Sequence, residues 1–361
     1  MDEIRRLRDK IDEIDRQIVL LLNSRNEDAK LLGRIKRVRG MALRDPEREK
    51  IILRKMSTLT RKLGLEPRTL EGVFRQIFEM SVQSQAGPDV KQASRLKGLR
   101  FLMVGGTGRM GRFFAGFAAL QGAQVKIAGR SLKNSKKTAD EMGVLPGTIL
   151  DAAESDIVII SVPVRETERV AVEAASFMKS GSLLVDVSSV KTGVSDQIAA
   201  RTSAGIEYVS IHPLFGPDID LVFGQGMAWV PYRQGPRWKK LDKAFSASGV
   251  DMYEMTARQH DKKMAYVQGL HHFALMTLGL GLSDNGGQPI TRSLRDTETR
   301  VERMIENWET VQAIQMMNPF VPEARQRFVR ISQRMSAMGV GQASRARTQL
   351  LSNVQKWSRK Q

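Results

Sequence analysis

A cluster of glycines between two apolar segments constrains the fold of this chain more than any other feature. The run RFLMVGGTGRMGRFFAG, residues 100–116, reads as a strand, a glycine turn and the start of a helix. Its G-x-G-x-x-G pattern is typical of the turn that brings backbone N–H groups and a helix N-terminus to the pyrophosphate of a dinucleotide. The predicted cofactor-binding positions of this turn are Gly106, Thr107, Gly108, Arg109, Met110 and Gly111.

The segment AQVKIAGRS, residues 123–131, predicts a second strand and indicates which dinucleotide binds. In NAD-binding domains an Asp or Glu about 20 residues past the loop accepts hydrogen bonds from the adenosine ribose. Here that strand ends at Gly129, Arg130 and Ser131. A cation and a hydroxyl suit a 2′-phosphate, so NADP is the expected cofactor. NAD is the alternative if Arg130 only faces solvent.

Further apolar segments alternate with helical patterns and predict a doubly wound parallel sheet. They are DIVIISVP at 156–163, SLLVDVSS at 182–189 and EYVSIHP at 207–213. His212 ends the last of them, on the side where the cofactor cleft of such a sheet forms, and is the best-placed base for a hydroxyl proton. Helical patterns replace strands from about residue 236. We therefore expect an α/β Rossmann domain over residues 99–235 and an all-α domain over residues 236–361.

The region before the glycine turn has a different character, because it reads as three helices. In the first, apolar side chains follow the 3-4 spacing of a coiled-coil seam, which implies a partner helix. They are Ile4, Leu7, Ile11, Ile14, Ile18 and Leu21. Asp45-Pro46 begins a second helix that reaches Gly64, and Glu66-Pro67 begins a third that runs to about Gln85. These patterns predict an all-α domain over residues 1–88, followed by a linker over residues 89–98.

Three basic residues of the first helix restrict how a ligand could bind. Arg8 and Arg25 are 17 residues apart, a distance of about 25 Å along a helix, so one small ligand cannot contact both. Arg25 and Lys36 are 11 residues apart, close to three turns, and share a face. Arg8 would therefore reach such a ligand from a second chain, as in a twofold dimer of antiparallel long helices.

Composition narrows the classes of function. The 361 residues include no cysteine, which excludes disulfides, thiolate metal sites and cysteine nucleophiles. The charged N-terminus and the lack of a long apolar run argue against a signal peptide and a membrane span, so a cytoplasmic location is expected. The formal charge of +18 is spread along the chain, which favours small anionic ligands over nucleic acid.

The segments LRDKID, SRNEDAKLLGRIK, LRDPERE and SVQSQ resemble those of the all-helical chorismate mutases in order and in spacing, over about residues 4–85. This resemblance implies that chorismate is rearranged to prephenate. The ligand-binding positions that it implies are Arg8, Arg25, Lys36, Asp45, Arg48, Glu49 and Gln85. Arg8 of a second chain and Arg25 would bind the two carboxylates, with Arg48 in support. Lys36 and Gln85 would donate to the ether oxygen, while Glu49 and Asp45 would meet the ring hydroxyl.

VGGTGRMGRFF, ISVPV, DVSSVK, HPLFGPD and HDKKMAYVQGLHHFA resemble prephenate dehydrogenase, over about residues 98–320. The resemblance implies that His212 accepts the proton of the ring hydroxyl and that Ser161 orients it. Gln268 and His272 would line the substrate pocket. Arg300 would bind a carboxylate, with Arg295 and Arg303 as alternatives. Ser161, Val162 and Pro163 would also contact the cofactor.

A mutase followed by a dehydrogenase is typical of the bifunctional enzymes of tyrosine biosynthesis. That arrangement implies chorismate and prephenate as substrates, dimerisation through the C-terminal helices into a homodimer, and no nucleic-acid or membrane partner. One alternative is a monofunctional dehydrogenase of the arogenate or β-hydroxyacid type with a regulatory or degenerate mutase domain. The β-hydroxyacid enzymes use a lysine in a G-x-x-G-x-x-K-x-x-N-N type segment that we do not find after residue 160. A regulatory nucleic-acid-binding protein is the other alternative, but no helix-turn-helix or RNA-binding strand pattern is present.

Overall fold

The computed structural model describes residues 2–38, 45–86, 95–282 except 218, 220, 221 and 223, and 291–358. The expected linker over residues 89–98 lies outside these ranges as far as residue 94, and residues 95–98 form a turn.

The N-terminal region forms the three predicted helices, which are α1 (Asp2–Val38), α2 (Pro46–Lys62) and α3 (Pro67–Ala86). Asp45 caps α2, since its Oδ1 accepts a hydrogen bond from the backbone N–H of Arg48 at 3.0 Å, and Pro46 occupies the first turn. α3 packs against both neighbours, with Phe78 and Val82 buried.

The two halves of α1 have different surroundings. The C-terminal half packs closely on α3, because Gly33 lies directly against the backbone of Gln85 and leaves no room for a Cβ atom. The N-terminal half has no such cover within the described residues of the chain. Its seam residues are exposed, from Ile4 at 60% to Leu21 at 69%. An isolated amphipathic helix is marginal in water, so this exposed seam is a surface on which a partner helix could pack.

Eight strands form one sheet in the order β3-β2-β1-β4-β5-β6-β7-β8. Their bounds are β1 Arg100–Val104, β2 Gln124–Ala128, β3 Leu145–Pro146, β4 Ile157–Ile160, β5 Leu183–Asp186, β6 Glu207–Pro213, β7 Gly226–Arg233 and β8 Asp251–Glu254. Strands β1 to β6 are parallel, β7 is antiparallel to β6, and β8 is parallel to β7. The sequence therefore predicted the parallel strands β1, β2, β4, β5 and β6, but not the two-residue strand β3.

Helices cover both faces of the sheet. They are α4 (Arg109–Leu120), α5 (Leu132–Met142), α6 (Val164–Phe177), α7 (Val194–Arg201) and α8 (Pro236–Ala247), with a 3-10 helix at Ile149–Ala153. Side chains of β1 alternate between the two cores, as expected for a strand that is buried on both faces. Phe101 packs with α4 and α8, whereas Leu102 packs with α6 and α7.

The sheet continues beyond residue 235, where the sequence pattern suggested that the α/β domain ends. After α8 the chain returns to the sheet, and β8 pairs with β7 in register Gly226 with Asp251. The α/β unit therefore extends at least to Glu254.

The remaining residues form a helical region. It comprises α9 (Ala257–Met264), a π-helix (Ala265–Leu270), α10 (His271–Gly281), α11 (Arg292–Glu306), α12 (Trp308–Met317), α13 (Val321–Ser336) and α14 (Val340–Ser358). A small core of Val190, Ala265, Ile314 and Val321 joins it to the carboxyl edge of the sheet. Within the described ranges, no helix combines the length and apolar character needed to cross a bilayer.

Candidate active sites

The glycine turn has the geometry of a phosphate cradle. Gly105 has φ +82°, a conformation that favours glycine, and it lies against the carbonyl oxygen of Ser161. A Cβ on Gly106 would be 2.6 Å from Ile127 Cγ2, and one on Gly111 would meet the backbone of Gly105. Gly108 begins α4 without a side-chain cap, and the N-terminus of a helix attracts an anion. The site fits a dinucleotide. Gly105 is a further glycine of this turn, in addition to those that were predicted.

The two polar residues that follow β2, Arg130 and Ser131, differ in the contacts that they make. Ser131 begins α5, and its Oγ accepts a hydrogen bond from the backbone N–H of Asn134 at 3.4 Å. Arg130 is exposed beside it. The guanidinium therefore lies at the surface, near the end of the cradle where an adenosine would bind. The hydroxyl caps the N-terminus of α5.

A cavity of about 970 Å³ runs from the glycine turn to the helical region. Its wall includes Gly108, Arg109, Met110, Ser161, Val162, Pro163, His212, Gln268, His272, Arg300 and Arg303. The structure thus brings the predicted nicotinamide-end and substrate-pocket residues together around one space. Arg295 is not among its lining residues, so of the three arginines only Arg300 and Arg303 reach this wall.

His212 belongs to a buried line of three side chains. Its Nδ1 is 2.8 Å from His260 Nε2, and His260 Nδ1 is 2.8 Å from Asp261 Oδ1. The two oxygens of Asp261 also accept hydrogen bonds from the backbone N–H groups of Lys191 at 3.0 Å and Thr192 at 2.7 Å. Sequence reasoning missed His260 and Asp261, which are distant from His212 in the chain.

The protonation states of this line follow from its surroundings. Burial lowers the pKa of His212 well below the usual range, and the nearby His260 and Lys191 lower it further. Burial also lowers the pKa of His260, although the hydrogen bond with Asp261 opposes this. For Asp261, burial raises the pKa, but the hydrogen bonds from His260 and from the backbone of Lys191 and Thr192 bring it below the usual value. The carboxylate is therefore ionised and both imidazoles are neutral at pH 7.

The hydrogen bond at Nδ1 of the His212 ring is made with His260, and the expected role of Ser161 in orienting His212 stays a prediction. Ser161 lies on the wall of the same cavity, but His212 Nδ1 is already paired with His260. On the other side of the ring, Gln268 Nε2 is 3.5 Å from His212 Nε2. Ser161 is thus placed to contact a ligand in this cavity.

A π-helix brings Gln268 to His212. In the segment Ala265–Leu270 the backbone hydrogen bonds span five residues instead of the four of an α-helix, a distortion that is frequent at functional sites. Gln315 of α12 donates from Nε2 to the carbonyl oxygen of Gly269 at 2.6 Å, which satisfies a backbone acceptor of that turn. The segment is therefore fixed by a buried contact with the helical region.

Lys191 is fully buried behind the histidine pair. Its Nζ donates to Ser210 Oγ and to the carbonyl oxygen of Ile211, each at 2.6 Å, and lies 3.8 Å from Asp186 Oδ1. Burial lowers its pKa to about 8, against the opposing attraction of Asp186 and Asp261. These contacts anchor the residues of β6 that immediately precede His212. The motif DVSSVK contained this lysine, but the spacing gave no sign of its burial.

In the N-terminal helices, Arg25 lies against α3. Its Nη1 donates to the carbonyl oxygen of Ile77 at 3.3 Å and to Ser81 Oγ, and its guanidinium lies 5.9 Å from the Phe78 ring centroid. Burial lowers the pKa of Arg25. Lys36 and Gln85 are also buried near the crossing of α1 and α3, at 8% and 7% exposure. Three of the residues predicted to bind the ligand thus lie at the crossing of α1 and α3, and Ser81 lies with them.

The other predicted mutase residues lie at exposed ends of helices. Asp45 caps α2, and Arg48 is exposed and Glu49 half-buried in its first turn. Arg8 lies in the exposed half of α1, separated from Arg25 by the length of the helix between them. Within one chain the structure does not bring Arg8 to Arg25.

Two family models match this chain in succession. Chorismate mutase type II matches residues 7–86, and the nucleotide-binding domain of prephenate dehydrogenase matches residues 114–223. Residues of the α1–α3 crossing lie in the first match, while the glycine turn precedes the second, which includes Ser161 and His212.

Individual relatives agree with these two matches. The T-protein of Enterobacter agglomerans is 29% identical over 283 residues, which cover 78% of this chain and 71% of that protein. The chorismate mutase of Methanocaldococcus jannaschii is 36% identical over 83 residues, or 23% of this chain and 80% of that protein. The solved structure of Aquifex aeolicus prephenate dehydrogenase with hydroxyphenyl propionate and NAD+ has a TM-score of 0.59 at 18% identity and covers 73% of this chain and 98% of that chain. At this identity the structural likeness establishes the fold.

Proposed function

We propose that this chain, which belongs to the type II chorismate mutases over its N-terminal helices and continues into a prephenate dehydrogenase, is a bifunctional enzyme of tyrosine biosynthesis. It isomerises chorismate to prephenate at the α1–α3 crossing. It then oxidises prephenate to 4-hydroxyphenylpyruvate and CO₂ in the cavity beside His212. The cytoplasmic location expected from the sequence remains a prediction.

The helical site suits a rearrangement that needs no nucleophile or base. Chorismate carries two carboxylates, and the enzyme has to bind it in a compact conformer and stabilise charge on the breaking ether bond. Arg25 binds one carboxylate with Ser81 beside it, and its planar guanidinium suits a bidentate contact. Lys36 and Gln85 donate to the ether oxygen from buried positions, where such hydrogen bonds are strong. Asp45, Arg48 and Glu49 complete the site from α2.

The cavity site suits oxidation of a ring alcohol. A dinucleotide held by the glycine turn would supply a nicotinamide ring as the acceptor of the hydride from the carbinol carbon. His212 Nε2 accepts the hydroxyl proton, and Gln268 orients the ring from the cavity side. Arg300 or Arg303 binds a substrate carboxylate, and His272 lines the pocket as a neutral ring, since burial lowers its pKa to about 4. Loss of CO₂ then follows from aromatisation and requires little from the protein.

The same proposal includes the identity of the cofactor and the oligomeric state. NADP is the preferred cofactor, supported by the exposed Arg130 at the end of β2 where a carboxylate would otherwise bind the ribose. A homodimer is the active form, supported by the uncovered seam on the N-terminal half of α1. In such a dimer Arg8 of one chain completes the site of the other.

The observation that carries the dehydrogenase assignment is that His212 lies on the wall of a cavity that begins at the glycine turn. The test supplies chorismate with NADP or NAD and follows prephenate, reduced cofactor and 4-hydroxyphenylpyruvate in one reaction. Two single substitutions should separate the activities, because their sites lie in different domains. Arg25→Ala should abolish the mutase and leave oxidation of added prephenate intact. His212→Asn should lower kcat for prephenate by about 100-fold or more and leave the mutase intact.

Each variant serves as the control for the other. Equal loss of both activities in either variant would contradict the assignment of two separate sites. Near wild-type oxidation by the His212→Asn variant would remove this residue from the mechanism.

A further inference from the structure

We propose that His260 and Asp261 are a positioning pair that fixes His212 in the tautomer with a proton on Nδ1 and a lone pair on Nε2. The proposal rests on the proposed function, in which Nε2 accepts the hydroxyl proton of the substrate. Neither residue of the pair touches the cavity: His260 and Asp261 are both 0% exposed and act only through His212.

The direction of the hydrogen bonds can be deduced from the carboxylate end. Asp261 Oδ1 and Oδ2 accept hydrogen bonds from the backbone N–H groups of Lys191 and Thr192, which favours the ionised form. An ionised carboxylate can only accept, so the 2.8 Å contact with His260 Nδ1 requires a proton on that nitrogen.

The rest of the line follows from this first assignment. His260 is neutral, since burial lowers its pKa, so a proton on Nδ1 leaves a lone pair on Nε2. The 2.8 Å contact between His260 Nε2 and His212 Nδ1 then requires His212 to donate. A neutral His212 with a proton on Nδ1 has its lone pair on Nε2, the nitrogen nearest Gln268 on the cavity side. The amide nitrogen of Gln268, 3.5 Å from Nε2, is a donor that matches this lone pair.

Without Asp261 the opposite arrangement would also be available. His260 could carry its proton on Nε2 and donate to His212 Nδ1, which would place the His212 proton on Nε2. A substrate hydroxyl would then meet a donor where the reaction needs an acceptor. The loss of a carboxylate that fixes a catalytic histidine lowers kcat by about 10,000-fold in serine proteases, which shows how large such an effect can be.

The backbone holds the pair rigidly. The carbonyl oxygen of Asp261 accepts a hydrogen bond from Asn318 Nδ2 at 2.9 Å, so the pair is tied to the helical region as well as to the segment after β5. These contacts are what a positioning role requires, because a loosely held carboxylate could not select one tautomer.

Three substitutions test the proposal in the full-length protein. His260→Leu removes the acceptor for His212 Nδ1–H, and Asp261→Asn places an amide N–H toward one of the donors that the carboxylate now accepts from. Each should lower kcat for prephenate by about 100-fold or more, with little change in KM. His260→Gln should recover kcat to within about tenfold of wild type, because an amide can accept from His212 and donate to Asp261.

The pH profile gives a readout that a merely structural role would not change. In the wild type we expect the acid limb of kcat below the usual histidine range, because burial lowers the pKa of His212, which must be unprotonated. His260→Leu should move this limb to higher pH, since the neighbouring imidazole that lowers the pKa is removed. Other charged or titratable groups around the pair are unchanged: Asp186 and Lys191 behind it, and Arg109, His271, His272, Arg300, Arg303, Glu306 and Glu309 on the cavity wall.

Asp151→Asn is the matched control. Asp151 Oδ2 accepts a hydrogen bond from the backbone N–H of Thr148 at 2.7 Å in the α/β domain that contains His212, but the carboxylate has no contact with His212. Its substitution should leave kcat and the pH profile unchanged. Binding of NADP, followed by fluorescence, reports whether each variant is folded.

The outcomes separate this proposal from the proposed function. If His212→Asn is inactive while folded His260→Leu and Asp261→Asn variants have wild-type kcat and acid limb, the positioning pair is wrong and the dehydrogenase assignment stands. If His212→Asn is itself active, the proposed function fails first. If His260→Leu does not bind NADP, the folded Asp261→Asn variant decides, and wild-type kcat there overturns the proposal.

Discussion

At the end of β2 a single exposed side chain, Arg130, bears on the choice of cofactor. A carboxylate there would bind the ribose hydroxyls and repel a 2′-phosphate, whereas a guanidinium attracts it. The Ser131 hydroxyl is committed to the N-cap of α5 at 3.4 Å, so most of the discrimination depends on Arg130.

We therefore expect Arg130→Glu to reverse the preference from NADP to NAD. Charge-assisted hydrogen bonds contribute about 1.5 to 3 kcal/mol, or roughly 10- to 150-fold in affinity. The change should appear mostly in KM for the cofactor, since the adenosine end is far from the hydride and is bound equally in ground and transition states. The measurement is kcat/KM for both cofactors with saturating prephenate.

Lys136→Glu is the control for this prediction, because it reverses a charge at an exposed position of the same helix α5. It should leave the cofactor preference nearly unchanged. A wild-type enzyme that prefers NAD, or an Arg130→Glu variant that uses NADP as before, would contradict the assignment of NADP.

His212 and His260 show which site residues can be predicted from the sequence and which cannot. His212 could be predicted because it ends an apolar strand on the known side of a parallel sheet. His260 is 48 residues further along the chain, in the polar segment HDKKM, which reads as a solvated helix. Only the packing of α9 against the sheet brings its ring to 2.8 Å from His212. Burial of a polar residue depends on tertiary packing, which no local pattern records.

Among the helices, the crossing of α1 and α3 depends on one glycine. Gly33 lies against the backbone of Gln85 with no space for a Cβ atom. Arg25 and Lys36 lie on either side of Gly33 along α1. The close approach at Gly33 therefore sets the distance between these cations and the residues of α3.

Gly33→Ala should abolish or severely reduce mutase activity and leave oxidation of added prephenate unchanged. The added methyl group would separate α1 from α3, because the backbone that it meets cannot move independently of its helix. Mutase and dehydrogenase rates, measured on the same preparation, check this expectation. Full mutase activity in this variant would show that the crossing is adjustable.

Gly72→Ala provides the matched helical control. Gly72 is in α3, and a Cβ there would have nothing within 4 Å. Alanine exceeds glycine in helix propensity by about 1 kcal/mol, so this substitution should raise the thermal stability of the helical domain and retain the mutase activity.

The strands differ in how clearly their burial can be read from an apolar pattern in the sequence. β1, β4 and β5 are buried on both faces and read as continuous apolar runs, which predicted them. β7, GMAWVPYR, contains a proline, and β8, DMYE, is a short and largely exposed edge strand. Such strands have little apolar periodicity, so the sequence pattern ended the sheet domain too early.

At the scale of the whole molecule, the length of α1 is the reason for proposing a mutase site built from two chains. Arg8 and Arg25 are on one continuous helix and about 25 Å apart, while the seam from Ile4 to Leu21 is exposed. A second copy packed antiparallel along this seam would cover its apolar side chains and bring its Arg8 toward the first chain's Arg25.

This arrangement predicts complementation between two inactive variants. In a heterodimer of Arg8→Ala and Arg25→Ala chains, one site receives intact Arg25 from the first chain and intact Arg8 from the second, whereas the other site lacks both. Random exchange of subunits makes half of the dimers mixed, so the mixture should regain about a quarter of the wild-type mutase rate. Rates of chorismate consumption are compared before and after exchange, and mass spectrometry of tagged chains confirms that mixed dimers form.

Arg25→Ala mixed with Lys36→Ala is the matched control, because both residues come from the same chain at each site. Every site in that heterodimer lacks one cation, and no activity should return. Recovery in both mixtures would indicate a contaminating mutase, and recovery in neither, with exchange demonstrated, would place Arg8 outside the site. Recovery in the first mixture alone requires a site built from two chains, since no arrangement within one chain gives the two pairs different outcomes.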